Sequence, residues 1–302
     1  MKIASTLFLG FGALVASFTS PAGPGFTTSW EGGDSYIAGG AYEVTISVDV
    51  DATEPSDVPS WSLNSSAFKL NGKALGKRAN NKLTLDPGTH LTATFDLGPA
   101  LVEAGVGEAF ELSFAEGEAR KIEIFKAAPA GLTFMDPSSV PDGDLANYRV
   151  LMHTNQGDML MEMYPHLAPN HVRNFLDLNY TGYYDNVIFH RVIPTFMIQG
   201  GDKSGTGAGP GRRQLNAEFS TEKHVRGILS MARTPDVNSA SAQFFVMHAA
   251  YPSLDGQYSI FGKLISGYDT LDKIVNTPAP GSRPSVDQVI LSSTVLYVPS
   301  AK

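Results

Sequence analysis

The 302-residue sequence has no cysteine. That excludes a disulfide framework, a thiolate nucleophile and any Cys-based metal site. Histidine is sparse as well, with seven residues and no metal-type spacing. His166 and His171 straddle Pro169, which spoils a shared helical face. Charged residues are only 17% of the chain, with no long block of one sign, and the net charge is −8. An acidic chain of this kind argues against nucleic acid or an anionic membrane surface as partner. The glycine-rich run Lys203–Gly211 looks like a phosphate loop, but it lacks the Gly-Lys-Ser/Thr ending that leads into a helix. It reads as a flexible surface loop.

Long hydrophobic runs are also scarce. One run, Ile3 to Phe18, follows Lys2 and precedes the small residues Ser20-Pro21-Ala22. This pattern predicts a secretory signal over residues 1–22 and an exported protein, periplasmic or secreted. The run falls short of the roughly 20 apolar residues a membrane span needs, so a retained N-terminal anchor is the alternative to a cleaved signal, and no other stretch could span a bilayer. Beyond the signal segment, no membrane association is expected.

The length predicts about two domains. Residues 23–126 show short strand-like segments at regular intervals: Tyr42–Val50, Ala67–Leu70, Lys82–Leu85, His90–Leu97, Ala109–Phe114 and Arg120–Phe125. Turn signals such as Asn71-Gly72 and Asp86-Pro87-Gly88 separate them, and Pro99 to Ala104 allows a short helix. This is the pattern of a small β-sandwich domain, with an immunoglobulin-like arrangement among the options and no role legible in its sequence. Residues 127–146 carry prolines, glycines and small polar residues that disfavour regular structure, and are expected to form a linker. Leu132, Phe134 and Met135 within it are candidates to dock on one domain. Charge divides unevenly. Gly23 to Asn147 holds 18 acidic and 8 basic residues, whereas Tyr148 to Lys302 holds 12 acidic and 13 basic.

From Asn147 to Lys302 the segments change. Tyr148–Thr154 and Met159–Tyr164 alternate as strands, and Ala168–Leu178 reads as an amphipathic helix with Pro169 in its first turn. The stretch FHRVIPTFMIQGGD, Phe189 to Asp202, sets one cation, Arg191, beside an apolar run. A cation at the edge of an apolar, aromatic-walled surface is a poor core element and a good binding site.

That stretch resembles the signature of the cyclophilin-type peptidyl-prolyl cis-trans isomerases. Three further stretches agree in order: GILSMAR (Gly227–Arg233), SAQFFVM (Ser241–Met247) and LDGQYSIFGKL (Leu254–Leu264). Upstream, Thr154 to Leu178 is similar to the opening strands and first helix of that family. The resemblance covers the second half of the chain. It implies a mainly β fold, a cyclophilin-like eight-stranded antiparallel barrel with two helices, the second near Tyr268–Val275, placed after the β-sandwich.

It also implies the site. Arg191 and Gln199 would be catalytic, with Arg191 as guanidinium donor and Gln199 orienting it and holding substrate backbone. Phe196, Met197, Phe245 and Leu254 would wall a proline pocket. Ala232 and the backbone of Arg233 would border the peptide groove, with Tyr258 at its rim. Three positions depart from the best-known members: Ser253 replaces Trp, Tyr258 replaces His and Arg233 replaces Asn. The implied reaction needs no metal and no cofactor, and its partners are proline-containing polypeptide clients. A prolyl isomerase assisting the folding of exported proteins is therefore expected. The alternative is a non-catalytic cyclophilin-fold chaperone or binding module, which would have no need of Arg191 together with Gln199. Nothing in the sequence bears on oligomeric state.

Overall fold

The computed structural model describes residues 26–298, apart from residues 33, 34, 80, 108, 116 and 210. The expected signal segment, residues 1–22, lies outside the described residues. The chain divides into two compact units, with the boundary between Lys126 and Ala127.

The first unit is built from short strands. Glu43–Val50 lies between Phe26–Gly32 and His90–Asp96 in a three-stranded antiparallel sheet. Phe110–Phe114 pairs with Phe68–Leu70 and with Ala119–Ala127, and Ser35–Ile37 joins the last of these in parallel. Ser56–Pro59 and Lys82–Leu85 form a separate pair. Val44, Ile46, Val48 and Val50 alternate inward along their strand, as a period of two requires. They share one core with Phe68, Phe110, Phe114 and Ile122 of the other strands. Trp30 meets Phe68 edge-on at 5.2 Å between ring centres. The strand Phe26–Gly32 is not apparent in the sequence because two of its four inward positions are Thr28 and Gly32, which give no apolar alternation.

The second unit is a closed antiparallel barrel. Its pairings run Arg191–Ile193, Met197–Gly200, Phe244–Met247, Ile228–Met231, Ile260–Ser266, Gly157–Met163, Tyr148–Thr154 and Val289–Tyr297. Val187–Ile188 pairs with Val289–Tyr297, and three residues later the same chain pairs with Met197–Gly200. Residues 187–193 thus act as one interrupted strand and close an eight-membered ring, which leaves no free sheet edge. Helices Pro169–Tyr180 and Tyr268–Val275 complete the unit. Val150, Met161, Phe175, Phe189, Phe244 and Phe261 belong to one buried core that fills it.

Helix Pro169–Tyr180 is buried well beyond its apolar face, because each polar residue that goes under has a partner. Asn174 Nδ2 donates to the Ser241 carbonyl at 2.6 Å, and Arg213 Nη1 donates to Asp177 at 2.9 Å. Arg173 donates to the Phe134 carbonyl and to Asp142. No side chain caps the helix at Ala168. Glu218 does so from a distant loop, accepting the backbone N–H groups of Asn170 and His171 at 3.2 and 3.1 Å.

Residues 127–146, expected to form a linker with Leu132, Phe134 and Met135 as docking candidates, are packed more extensively than that. They belong to the second unit, and Phe134, Val140 and Leu145 are buried in its core. The prolines and glycines rule out long elements but not packing. Three apolar anchors spaced along the segment hold it down, and Asp142–Asn147 forms a 3₁₀ turn leading into the first barrel strand.

Candidate active site

Alternation along the barrel strands produces two apolar surfaces from one stretch of sequence. Val192, Ile198, Leu229, Phe244 and Val246 point into the barrel. Their neighbours Met197, Ile228, Phe245 and Met247 point the other way and form a second cluster outside it, with Phe196, Ala232, Leu254 and Tyr258 packed against them. Strands covered on both faces read as continuous apolar runs, which is why Phe244-Phe245-Val246-Met247 shows no alternation in the sequence.

A cavity of about 750 Å³ opens over this outer cluster. Arg191, Phe196, Met197 and Gln199 line it from the Arg191–Gly200 hairpin. Ala232, Arg233 and Phe245 line it from the neighbouring strands, and Leu254 and Tyr258 from the loop beyond. All nine residues singled out from the sequence therefore come together. Thr206, Gly207 and Ala208 of the glycine-rich loop, with His190 and Arg283, complete the wall.

The polar side of the cavity is a hydrogen-bonded chain. Arg191 and Gln199 are direct partners across the hairpin, and Arg191 Nη1 donates to Gln199 Oε1 at 3.2 Å. Gln199 Nε2 donates to Gln243 Oε1 at 3.0 Å, and Gln243 Nε2 donates to the Gly207 carbonyl at 3.0 Å. Gly207 in turn donates its backbone N–H to Asp202 at 2.7 Å. Asp202 also collects the N–H and hydroxyl of Ser204 and the N–H of Gly209. Burial works against its ionisation, but these donors outweigh it and hold the carboxyl down at about 2. Gly201 allows the chain to pass from Gln199 to Asp202. Its φ is +90°, and a Cβ there would collide with the Ala242 carbonyl.

Aromatic contacts form the apolar rim. The Phe196 ring stacks on Tyr251 with centres 4.3 Å apart, and the Arg191 guanidinium carbon lies 5.7 Å from the Phe196 centre. Phe245 and Tyr258 meet edge-on at 5.8 Å. The Arg233 guanidinium lies over the Tyr258 ring at 4.7 Å. His190 is buried without a hydrogen-bond partner, and this burial lowers its pKa and favours the neutral ring. A neutral ring without partners suits a structural role in the wall. Among the described residues no cluster of three or more His, Asp or Glu side chains could hold a metal ion, and no helix is long and apolar enough to cross a membrane.

Gln243, Asp202 and Tyr251 are parts of this arrangement that sequence reasoning did not assign. A signal for Gln243 was available, since counting back by two from Phe245 places it on the same outward face. Tyr251 meets Phe196 only through the fold, whereas the partners of Asp202 lie within seven residues of it, in the glycine-rich loop.

The apparatus is small: one guanidinium held by a glutamine, an apolar floor, and aromatic walls. Among the described residues that line the cavity there is no carboxylate. The apparatus can desolvate a short peptide segment and direct N–H donors at one of its atoms.

Known proteins resemble the second half of the chain. Residues 149–295 match the family model described as "Cyclophilin type peptidyl-prolyl cis-trans isomerase/CLD". The chain is 45% identical over 141 residues to "Peptidyl-prolyl cis-trans isomerase CYP18-1" of Arabidopsis thaliana, covering 45% of this chain and 88% of that protein. It is 41% identical over 153 residues to "Peptidyl-prolyl cis-trans isomerase-like 2" of Gibberella zeae, covering 49% of this chain and 26% of that one. The chain thus spans about a quarter of the length of this relative. Among solved structures, a Cryptosporidium parvum cyclophilin type peptidyl-prolyl cis-trans isomerase, crystallised in the presence of the dipeptide Ala-Pro, is 39% identical. It covers 51% of this chain and 99% of its own, with a TM-score of 0.47.

Proposed function

The chain belongs to the cyclophilin-type peptidyl-prolyl cis-trans isomerase family, and from that premise we propose that its second unit catalyses cis-trans isomerisation of X-Pro bonds in polypeptide clients. The observation that carries the proposal is the Arg191–Gln199 pair set at the edge of the Phe196, Met197 and Phe245 surface.

An X-Pro bond rotates against a barrier of about 20 kcal/mol that comes from amide resonance. In the twisted transition state the carbonyl oxygen loses negative charge and the prolyl nitrogen regains a lone pair. The twisted amide is less polar than the planar one, so an apolar floor favours it. A guanidinium aimed at the nitrogen favours it further. In this reading the proline ring sits on Phe196, Met197, Phe245 and Leu254. Arg191 donates to the nitrogen, Gln199 orients Arg191, and Ala232 with the backbone of Arg233 borders the extended peptide. No proton is transferred and no covalent bond forms.

We propose further that the clients are exported proteins. The signal-like residues 1–22 and the absence of cysteine support this. Two experiments test the reading: isomerisation of a short proline peptide by the purified chain, and localisation of the chain fused at its C-terminus to a reporter. Catalysis no faster than the uncatalysed rate would remove the enzymatic proposal, and a cytoplasmic reporter would remove the export proposal.

A further inference from the structure

The charge around the site runs against that of the chain. The whole sequence carries −8. Yet the residues lining the cavity include Arg191, Arg233 and Arg283 and no Asp or Glu. A second cavity of about 610 Å³ adjoins the first and shares Gln199, Gly207, Ala208, Ala232 and Arg233 with it. It adds Arg212 and Arg213 against a single acid, Asp236. A cleft lined by one sign of charge focuses its field on the ligand.

Two of these cations are neutralised by carboxylates. Arg213 is paired with Asp177 at 2.9 Å, and Arg283 with Asp287 at 3.2 Å. Arg191 is bound to Gln199. Arg212 donates to Thr181 and faces the Tyr183 ring, outside the shared wall. Of the three without a carboxylate partner among the described residues, Arg233 alone lines both cavities. It stands at the junction of the two cavities, and no carboxylate among the described residues lies within ion-pair distance of it. Its Nε and Nη2 donate to the Gln257 carbonyl at 3.1 and 3.0 Å, and Nη1 donates to the Thr234 carbonyl at 2.9 Å and the Pro235 carbonyl at 3.4 Å. The Tyr258 and Phe219 rings flank it at 4.7 and 6.0 Å. Neutral carbonyls and ring faces hold the guanidinium in place without cancelling its charge. Four contacts leave one of its five N–H groups for an incoming acceptor.

We propose that Arg233 is a specificity-determining residue that selects acidic clients: peptides with an Asp or Glu within two residues of the isomerised proline, whose carboxylate meets this guanidinium. The inference rests on the isomerase reading of the same site. Its remaining N–H and its uncancelled charge suit a single-point contact with a carboxylate. Its partly exposed position makes the effect one of moderate selectivity that salt weakens.

The test uses the full chain and matched proline peptides that carry Glu, Gln or Lys at each of the two positions on either side of the proline. Rates come from NMR exchange at low and high salt. At one position the Glu peptide should exceed its Gln counterpart in kcat/KM by about two- to fivefold at low salt, with Lys below both. High salt should shrink the ratio. Arg233→Gln should bring the ratio near one, and Arg233→Lys should keep part of it. Equal rates for Glu and Gln in the parent would overturn the proposal, as would a preference that survives Arg233→Gln or one that disappears in Arg212→Gln. If no peptide is isomerised, the enzymatic reading fails separately. The same Glu and Gln peptides then decide the selectivity through their equilibrium binding. If Arg233→Gln does not fold, the salt dependence of the parent ratio together with Arg233→Lys carries the decision.

Discussion

Gln199 and Gln243 bond amide to amide at 3.0 Å, and that bond determines the orientation of both. A guanidinium can only donate, so Gln199 must turn its oxygen to Arg191 and its NH₂ group to Gln243. Gln243 must then turn its oxygen to Gln199 and its NH₂ group to the Gly207 carbonyl. The pose of Arg191 is thereby tied to a loop anchored on Asp202. Gln243→Leu breaks the chain without touching the apolar floor. We expect kcat to fall by about tenfold with KM changed much less, measured on a proline tetrapeptide. An unchanged kcat would show that Arg191 holds its pose unaided.

Tyr251 covers the open side of Phe196 at 4.3 Å, close to Ser253, where the best-known family members carry tryptophan. An aromatic pair of this kind is worth about 0.5–1.5 kcal/mol beyond its buried area. Tyr251→Ala should therefore raise KM for a proline peptide by about three- to tenfold, with kcat nearly preserved. A KM equal to that of the parent would mean that Phe196 needs no backing ring.

The second unit begins at Ala127, and a fragment that starts at Asn147 would lose Phe134 and Val140 from the core. It would also strip Arg173 of both its partners. We expect a fragment of residues 127–300 to unfold cooperatively and one of residues 147–300 to be much less stable. In the full chain, Phe134→Ala should cost about 3–5 kcal/mol. Urea unfolding measures both, and equal midpoints for the two fragments would contradict the assignment.

Glu218 links acid stability to the helix Pro169–Tyr180. Burial opposes its ionisation, but the His171 ring at 2.6 Å and the backbone N–H groups of His171 and Asn170 outweigh it and lower its pKa. A carboxylate lowered in the folded state contributes stability that is fully present above its unfolded value, near 4.5, and is lost as pH falls through the folded value. Glu218→Gln should therefore destabilise the protein at pH 7, and the gap to the parent should close below about pH 4. A gap that stays constant with pH would show that the carboxylate charge is not what matters.

The sequence exposed some of these features and concealed others for physical reasons. The nine residues that line the cavity stood out because Arg191 breaks an apolar run and because its stretch and three later ones run in family order. The strands Glu43–Val50 and Lys82–Leu85 were legible from residue pattern and turn signals. Phe26–Gly32 was not, since Thr28 and Gly32 serve as inward residues. Residues 127–146 looked like a linker because composition reports the absence of regular elements; Leu132 and Phe134 stood out as docking residues and do pack on the core, whereas the anchors Val140 and Leu145 did not stand out. The Glu218 cap was invisible because it joins residues brought together only by the fold, the Asp202 nest is local but was passed over inside a loop read as flexible, and Gln243 was overlooked between two apolar motif residues.

The central claim is that Arg191 acts on the prolyl nitrogen above an apolar floor. The most direct test is kcat/KM for a proline tetrapeptide, measured for the parent, Arg191→Ala and Arg191→Lys, with thermal unfolding recorded for each. The account predicts that Arg191→Ala loses about 10²-fold or more while its unfolding midpoint stays near that of the parent, and that Arg191→Lys recovers only part of the loss. A folded Arg191→Ala variant that isomerises as fast as the parent would contradict it.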